Sequence, residues 1–111
     1  MKTTIYQIQP EKDIYKDLFG NSEFLLRNKH QKELEKAINI HAYSKVYETN
    51  YIFNSLDEIF FAFNVGPKPE HYEGHSVSIS DIIKIENSKY IENGVYFVDT
   101  FGFKKIEISV D

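Results

Sequence analysis

The chain has 111 residues, a formal net charge of −4, 41% hydrophobic and 27% charged residues, and no cysteine. This is the size of one domain, long enough to bury roughly two thirds of its unfolded surface. The acidic balance disfavours direct nucleic-acid binding, which usually needs a basic face, and the lack of cysteine excludes disulfides and thiolate metal sites.

The first residues contain no apolar segment of the kind that signal peptides carry. No stretch approaches the roughly 18 apolar residues that read as a membrane span. We therefore expect a cytoplasmic protein without a membrane span.

The N-terminal part of the chain predicts one strand and one helix. Thr3–Ile8 (TTIYQI) reads as the first strand, and Glu11–Gly20 is ambiguous, with a turn of helix as one interpretation. Asn21 or Ser22 can cap a helix that runs to about Ile38. The alternation of Ala42–Tyr51 (AYSKVYETNY) then predicts a second strand.

That second strand predicts which side chains share a face. Tyr43, Lys45 and Tyr47 would lie on one side and Val46 on the other, because successive side chains of a strand alternate.

The best-defined helix signal follows Ser55. Ser55 and Glu58 have the spacing of a capping box, and the sequence LDEIFFAFN comes directly after the cap. Phe61 falls off the apolar stripe, and Gly66 with the prolines after it should end the helix. The stripe that should pack on the sheet consists of Leu56, Ile59, Phe60 and Phe63.

The last third of the chain predicts most of the sheet. Ser76–Ser80 alternates small polar with β-branched residues, which is typical of a strand with one buried face. The isoleucine run Ile82–Ile85 predicts a central strand covered on both sides. Val95–Thr100 predicts the next strand, the chain bends after it, and Lys105–Val110 predicts the last one.

Two connections between those strands are open. Asn93-Gly94 could close a tight hairpin, because both residues tolerate positive φ. The longer loop Asn87–Gly94 is favoured, since it pairs the two most apolar runs directly.

Two segments, GHSVSISDIIKI and VYFVDTFGFKKI, resemble the signature of the YodL-like domains. Such domains occur as small proteins of Gram-positive bacteria and as modules of phage and mobile-element proteins. The resemblance implies no known reaction and no cofactor. It implies a phage or mobile-element setting, in which small proteins usually bind a host component.

Four residues close together suggest a hydrolase as an alternative. His75, Ser76, Ser78 and Asp81 supply the residue types of a catalytic triad, but no G-x-S-x-G elbow accompanies them. Strand alternation explains the serines, a local hydrogen bond explains His75, and capping or turning of the backbone explains Asp81. We expect that the protein is not an enzyme and that it binds neither a metal ion nor a cofactor.

Aromatic residues give the remaining functional signal. Tyr and Phe make up 15% of the chain, and such residues are enriched in the cores of protein interfaces. Phe103 is expected in the core. For Phe61 and Phe101 two positions remain open, one in the core and one on the surface as an anchor for a partner protein. The partner-binding candidates are Phe61, His75, Ser76, Asp81, Asp99 and Phe101.

We therefore predict a single α+β domain over residues 1–111, with an antiparallel or mixed sheet of about five strands and two helices packed on one face. The predicted function is a non-enzymatic protein-binding module that inhibits a host protein complex such as a CRISPR or other defence nuclease. The alternatives are a regulator of cell-envelope or cytoskeletal proteins and the small hydrolase.

Overall fold

A computed structural model describes residues 1–8, 43–99 and 101–107. The described elements, in chain order, are β1 (Lys2–Ile8), β2 (Tyr43–Thr49), α1 (Leu56–Asn64), β3 (Ile82–Glu86), β4 (Gly94–Asp99) and β5 (Gly102–Ile106). The strands form one sheet in the order β2-β1-β3-β4-β5, with every neighbouring pair antiparallel. The predicted α+β class and five-stranded antiparallel sheet are confirmed. The described residues contain one helix, and the helix predicted from Asn21 or Ser22 to Ile38 lies outside them, as does Glu11–Gly20.

β3 lies at the centre of the sheet, as the isoleucine run predicts. Ile83 pairs with Ile5 of β1 and with Tyr96 of β4, and all three belong to the core beneath α1. Ile82 faces the opposite side with Phe97, and both are almost completely buried. The sheet is therefore covered on both faces, which explains why β3 is apolar at successive positions rather than at alternate ones.

The sides predicted for β2 are partly wrong because the strand contains an irregularity. Ile5 pairs with Tyr47 and the next residue, Tyr6, pairs with Lys45, so Val46 is an extra residue on β2. A β-bulge of this kind interrupts alternation locally. Val46 is buried in the core and Tyr47 packs against the same core, although the sequence predicted opposite sides for them.

α1 confirms the predicted cap and the predicted stripe. The Ser55 side chain accepts a hydrogen bond from the backbone N–H of Glu58 at 3.1 Å. Ile59 and Phe63 are buried, while Leu56 and Phe60 are half-buried against the core. Phe61 is 65% exposed, as its position off the stripe implies.

The Ser55 cap should contribute about 1 kcal/mol to stability. Ser55→Ala is expected to lower the free energy of unfolding by that amount, since it leaves one N–H at the start of α1 without its partner. Ser55→Asp should retain wild-type stability because a carboxylate also caps. Urea melts that show equal stability for the alanine and wild-type chains would contradict this role.

Ser76–Ser80 is not a strand. The Val77 backbone N–H donates to the carbonyl of Phe63 in α1 at 3.1 Å, and the Ser80 N–H donates to the carbonyl of Val98 in β4 at 2.8 Å. The stretch is therefore held by single hydrogen bonds to two elements. Ser80 has φ of 81°, a left-handed conformation that breaks the extended chain. The predicted alternation is seen only at Val77, which is fully buried between half-buried serines, since Ile79 is half-buried and Ser80 is buried.

The C-terminal connections agree with the prediction in part. β3 and β4 pair directly across the loop 87–93, which confirms the longer loop. The bend after β4 is a tight hairpin in which Asp99 pairs with Gly102, whose φ of 89° suits glycine. β5 begins at Gly102 and ends at Ile106, earlier than the predicted Lys105–Val110, and residues 108–111 lie outside the described ranges.

Candidate functional site

A buried glutamine anchors the segment 72–81 to β1. Gln7 is completely buried, and its Nε2 donates to Asp81 Oδ2 and to the carbonyl of His75, each at 2.9 Å. Its Oε1 accepts from the backbone N–H of His75 at 3.0 Å. One side chain thus binds the middle of this irregular segment at His75 and its end at Asp81.

Gly74 is required for this anchoring. A Cβ on residue 74 would lie 2.1 Å from Gln7 Oε1 and 3.0 Å from Val46 Cβ. Glycine therefore allows the backbone to approach β1 and β2 closely enough for the Gln7 hydrogen bonds to form.

The structure places His75, Ser76 and Asp81 in structural hydrogen bonds. Asp81 is 2% exposed and accepts from the backbone N–H of Ser78 at 2.8 Å as well as from Gln7. His75 Nδ1 lies 2.8 Å from the main-chain carbonyl of Ser76. A triad instead needs a ring nitrogen against a nucleophilic hydroxyl. The local roles predicted for His75 and Asp81 are confirmed.

Tyr72 links that segment to the aromatic core. Its hydroxyl donates to the His75 carbonyl at 2.9 Å, and its ring stacks on Phe63 with centroids 5.7 Å apart. Burial raises the pKa of Tyr72 well above its usual value, and the charge of Asp81 raises it further. The hydroxyl therefore remains a hydrogen-bond donor throughout the neutral range.

Beside this stack lies an apolar surface cleft of about 400 Å³, which we call the aromatic groove. It runs between α1 and the end of β2. It is lined by Tyr47, Thr49, Tyr51, Phe53, Glu58, Phe61, Ala62, Phe63, Pro67 and Pro69. Tyr51 and Phe61 are 64% and 65% exposed, so two large aromatic rings of the groove face the solvent.

Phe101 lies elsewhere, in the β4–β5 hairpin, and is 96% exposed. Phe61 is among the residues that line the aromatic groove, and Phe101 is not. Asp99 lines a smaller cleft of about 250 Å³ with Phe60 and Phe103. Phe103 is half-buried, and its ring meets Phe60 edge-on at 6.3 Å, in agreement with its predicted core position.

A hydrogen-bonded pair joins the residues just before β4 to β5, at the open end of the β4–β5 hairpin. Lys105 Nζ donates to Glu92 Oε1 at 2.8 Å, and this bond raises the pKa of Lys105. Burial, followed by the charge of Glu92, raises the pKa of Tyr96, whose hydroxyl donates to the Glu92 carbonyl.

The sequence patterns do not single out three residues of this region: Gln7, Tyr72 and the groove residue Tyr51. Gln7 lies two residues after Ile5 and therefore on the same face of β1, so a polar residue at a core position was the available signal. Tyr72 lies between the prolines that end α1 and the segment Ser76–Ser80, where no periodicity assigns the side chain a role. Tyr51 lies at the end of the predicted strand Ala42–Tyr51, where alternation alone assigns its side chain no functional role.

The described residues include no group of three acidic or histidine side chains able to hold a metal ion. No helix of the described part is long and apolar enough to cross a membrane.

These features define a small α+β domain with an antiparallel sheet, an internally anchored loop and exposed aromatic side chains. The family model described as "YodL-like domain" matches residues 2–108, nearly the whole chain, so the chain belongs to the YodL-like domain family. No curated protein and no solved structure matches it.

Proposed function

We propose that this domain acts by binding another protein, without catalysis, and that the aromatic groove is its principal contact surface. One observation carries the proposal: Tyr51 and Phe61, each more than 60% exposed, line one apolar groove. Exposing such rings to water has a free-energy cost that a partner would remove, and aromatic residues supply the anchors of many interfaces. Phe101 offers a second anchor at the hairpin.

The proposed partner is a host protein or complex. Membership of the YodL-like family supports a phage or mobile-element setting, and a CRISPR or other defence nuclease is the specific candidate to be inhibited. A cell-envelope or cytoskeletal protein is the alternative partner. His75, Ser76, Asp81 and Asp99 have smaller parts in this proposal, since the first three organise the backbone near Gln7.

Capture from a Gram-positive lysate, followed by titration of the purified partner, tests the proposal. Phe61→Ala and Phe101→Ala should each weaken binding by about 2 kcal/mol or more, roughly 30-fold, as interface anchors do. Tyr90→Ala is the matched control, because Tyr90 is 63% exposed and lies in the loop 87–93 outside the groove.

Ionic strength separates this mode of binding from charge mimicry. Affinity should fall only mildly between low and high salt, because apolar contacts are not screened. A steep loss of affinity with salt, together with normal binding by both phenylalanine variants, would instead identify an acidic decoy of nucleic acid.

A further inference from the structure

We propose that the aromatic groove binds a short basic segment of the partner, one that places an aromatic or aliphatic side chain next to a lysine or arginine. This inference rests on the proposed function and specifies the chemistry of the partner. It follows from the shape of the groove and from the one charge that lines it.

The groove has the size and lining of an anchor pocket. Its volume of about 400 Å³ lies in the range of sites that enclose a ligand group. Phe53 and Phe63 are almost fully buried and fix the floor, whereas Tyr51 and Phe61 are mostly exposed. A chain segment can therefore insert one apolar side chain and continue past the two exposed rings.

Glu58 gives the groove its charge preference. Of the lining residues it alone is ionisable to an anion at neutral pH, and none of them is basic. No cation pairs with Glu58 anywhere in the described ranges, whereas Glu48 pairs with Lys2 and Lys45, and Glu92 with Lys105.

A cation supplied by the partner would complete that missing pair. The apolar walls lower the local dielectric, which makes the attraction stronger than between two fully solvated charges. A carboxylate in the partner at this position would meet Glu58 with the same sign. The groove thus selects against acidic segments as well as for basic ones.

A random-peptide library displayed on phage, selected against the wild-type chain, supplies the probe. The enriched peptides should combine an aromatic or aliphatic residue with an adjacent lysine or arginine. One of them is then synthesised with a fluorescent label, and its affinity is measured by anisotropy for the wild-type chain and its variants.

Phe61→Ala should weaken that peptide at least tenfold, and Tyr90→Ala should leave its affinity unchanged. Glu58→Gln should weaken it about fivefold, while Glu107→Gln, at an exposed acid beyond β5, should have no effect. Glutamine keeps the capping-box geometry of residue 58, and a thermal melt checks the fold of each variant.

The paired change isolates the ion pair itself. A peptide whose basic residue is replaced by norleucine should lose the same fivefold, and Glu58→Gln should weaken that peptide no further. Independent, additive losses would overturn the inference, as would enriched peptides without a basic residue.

Failure of this inference is distinguishable from failure of the proposed function. If the captured partner depends on Phe61 but is indifferent to Glu58→Gln, the groove binds protein and its charge preference is wrong. If the partner is indifferent to Phe61→Ala, the proposed surface itself is wrong. Self-association abolished by both Phe61→Ala and Phe101→Ala would identify a second copy as the occupant and would overturn the basic-segment proposal.

Discussion

Phe63→Ala should lower the free energy of unfolding by about 3–5 kcal/mol, the largest loss we expect from a single side chain of α1. Phe63 is 5% exposed and its ring contacts Tyr47, Phe53 and Tyr72. Truncation would remove these contacts and leave a cavity between the helix and β2. The neighbouring rings are themselves packed, so they can only partly fill it.

Phe61→Ala is the matched control, since it makes the same chemical change two residues earlier in the same helix. Its side chain is mostly exposed, so we expect a change within about 0.5 kcal/mol. Phe60→Ala should fall between the two, below the cost of Phe63→Ala, because Phe60 is only half-buried and meets Phe103 at its edge.

Urea unfolding followed by circular dichroism measures all three variants under the same conditions. Equal stabilities for Phe61→Ala and Phe63→Ala would contradict the packing of α1 described above. An unfolded Phe63→Ala chain at zero denaturant would agree with a loss of this size in a marginally stable domain.

Gly74→Ala should lower the free energy of unfolding by about 2–3 kcal/mol. The new methyl group would overlap Gln7 Oε1, which is 2.1 Å from the position of its Cβ. The Gln7 side chain is flexible and could rotate away. It would then lose hydrogen bonds to His75 and Asp81 and leave buried polar groups without partners.

A double-mutant cycle with Gln7→Ala identifies that cause. Gln7→Ala alone should destabilise the chain because it removes the same hydrogen bonds and leaves Asp81 buried without that donor. Once Gln7 is truncated, Gly74→Ala should cost much less, so the two losses should be strongly non-additive. Full additivity in urea melts would show that the cost of Gly74→Ala does not arise from its contact with Gln7.

Several elements were predictable because their signals are local. A capping serine and a 3.6-residue stripe define α1, and the isoleucine run defines β3, because burial on both faces requires apolar residues at successive positions. Helical spacing also placed Phe61 off the apolar stripe, although it left open whether the ring is in the core or exposed. Runs of β-branched and aromatic residues are also local signals, and they predict the strands β1 and β4.

Alternation in Ser76–Ser80 could not reveal that its backbone bonds to α1 and to β4 at single positions. A period of two predicts which side chains of an extended chain would share a face, and it contains no information about which backbone groups bond to one another. The path of this stretch is set by the Phe63 carbonyl, which accepts a hydrogen bond from the Val77 N–H, and by the turn at Ser80. The bulge at Val46 could likewise not be predicted from the sequence, because it is defined by the register between β2 and β1.

By itself the sequence determined the α+β class, the sheet's central strand, the cap and face of α1, and the resemblance to the YodL-like family. The tertiary structure alone decided that Gln7 binds a segment more than 60 residues away, with sequence separations of 68 to His75 and 74 to Asp81. It also decided that Tyr51 and Phe61 share a groove with Glu58. Hydrogen bonds and grooves between distant segments depend on how the elements pack, and local propensity and periodicity carry no record of that packing.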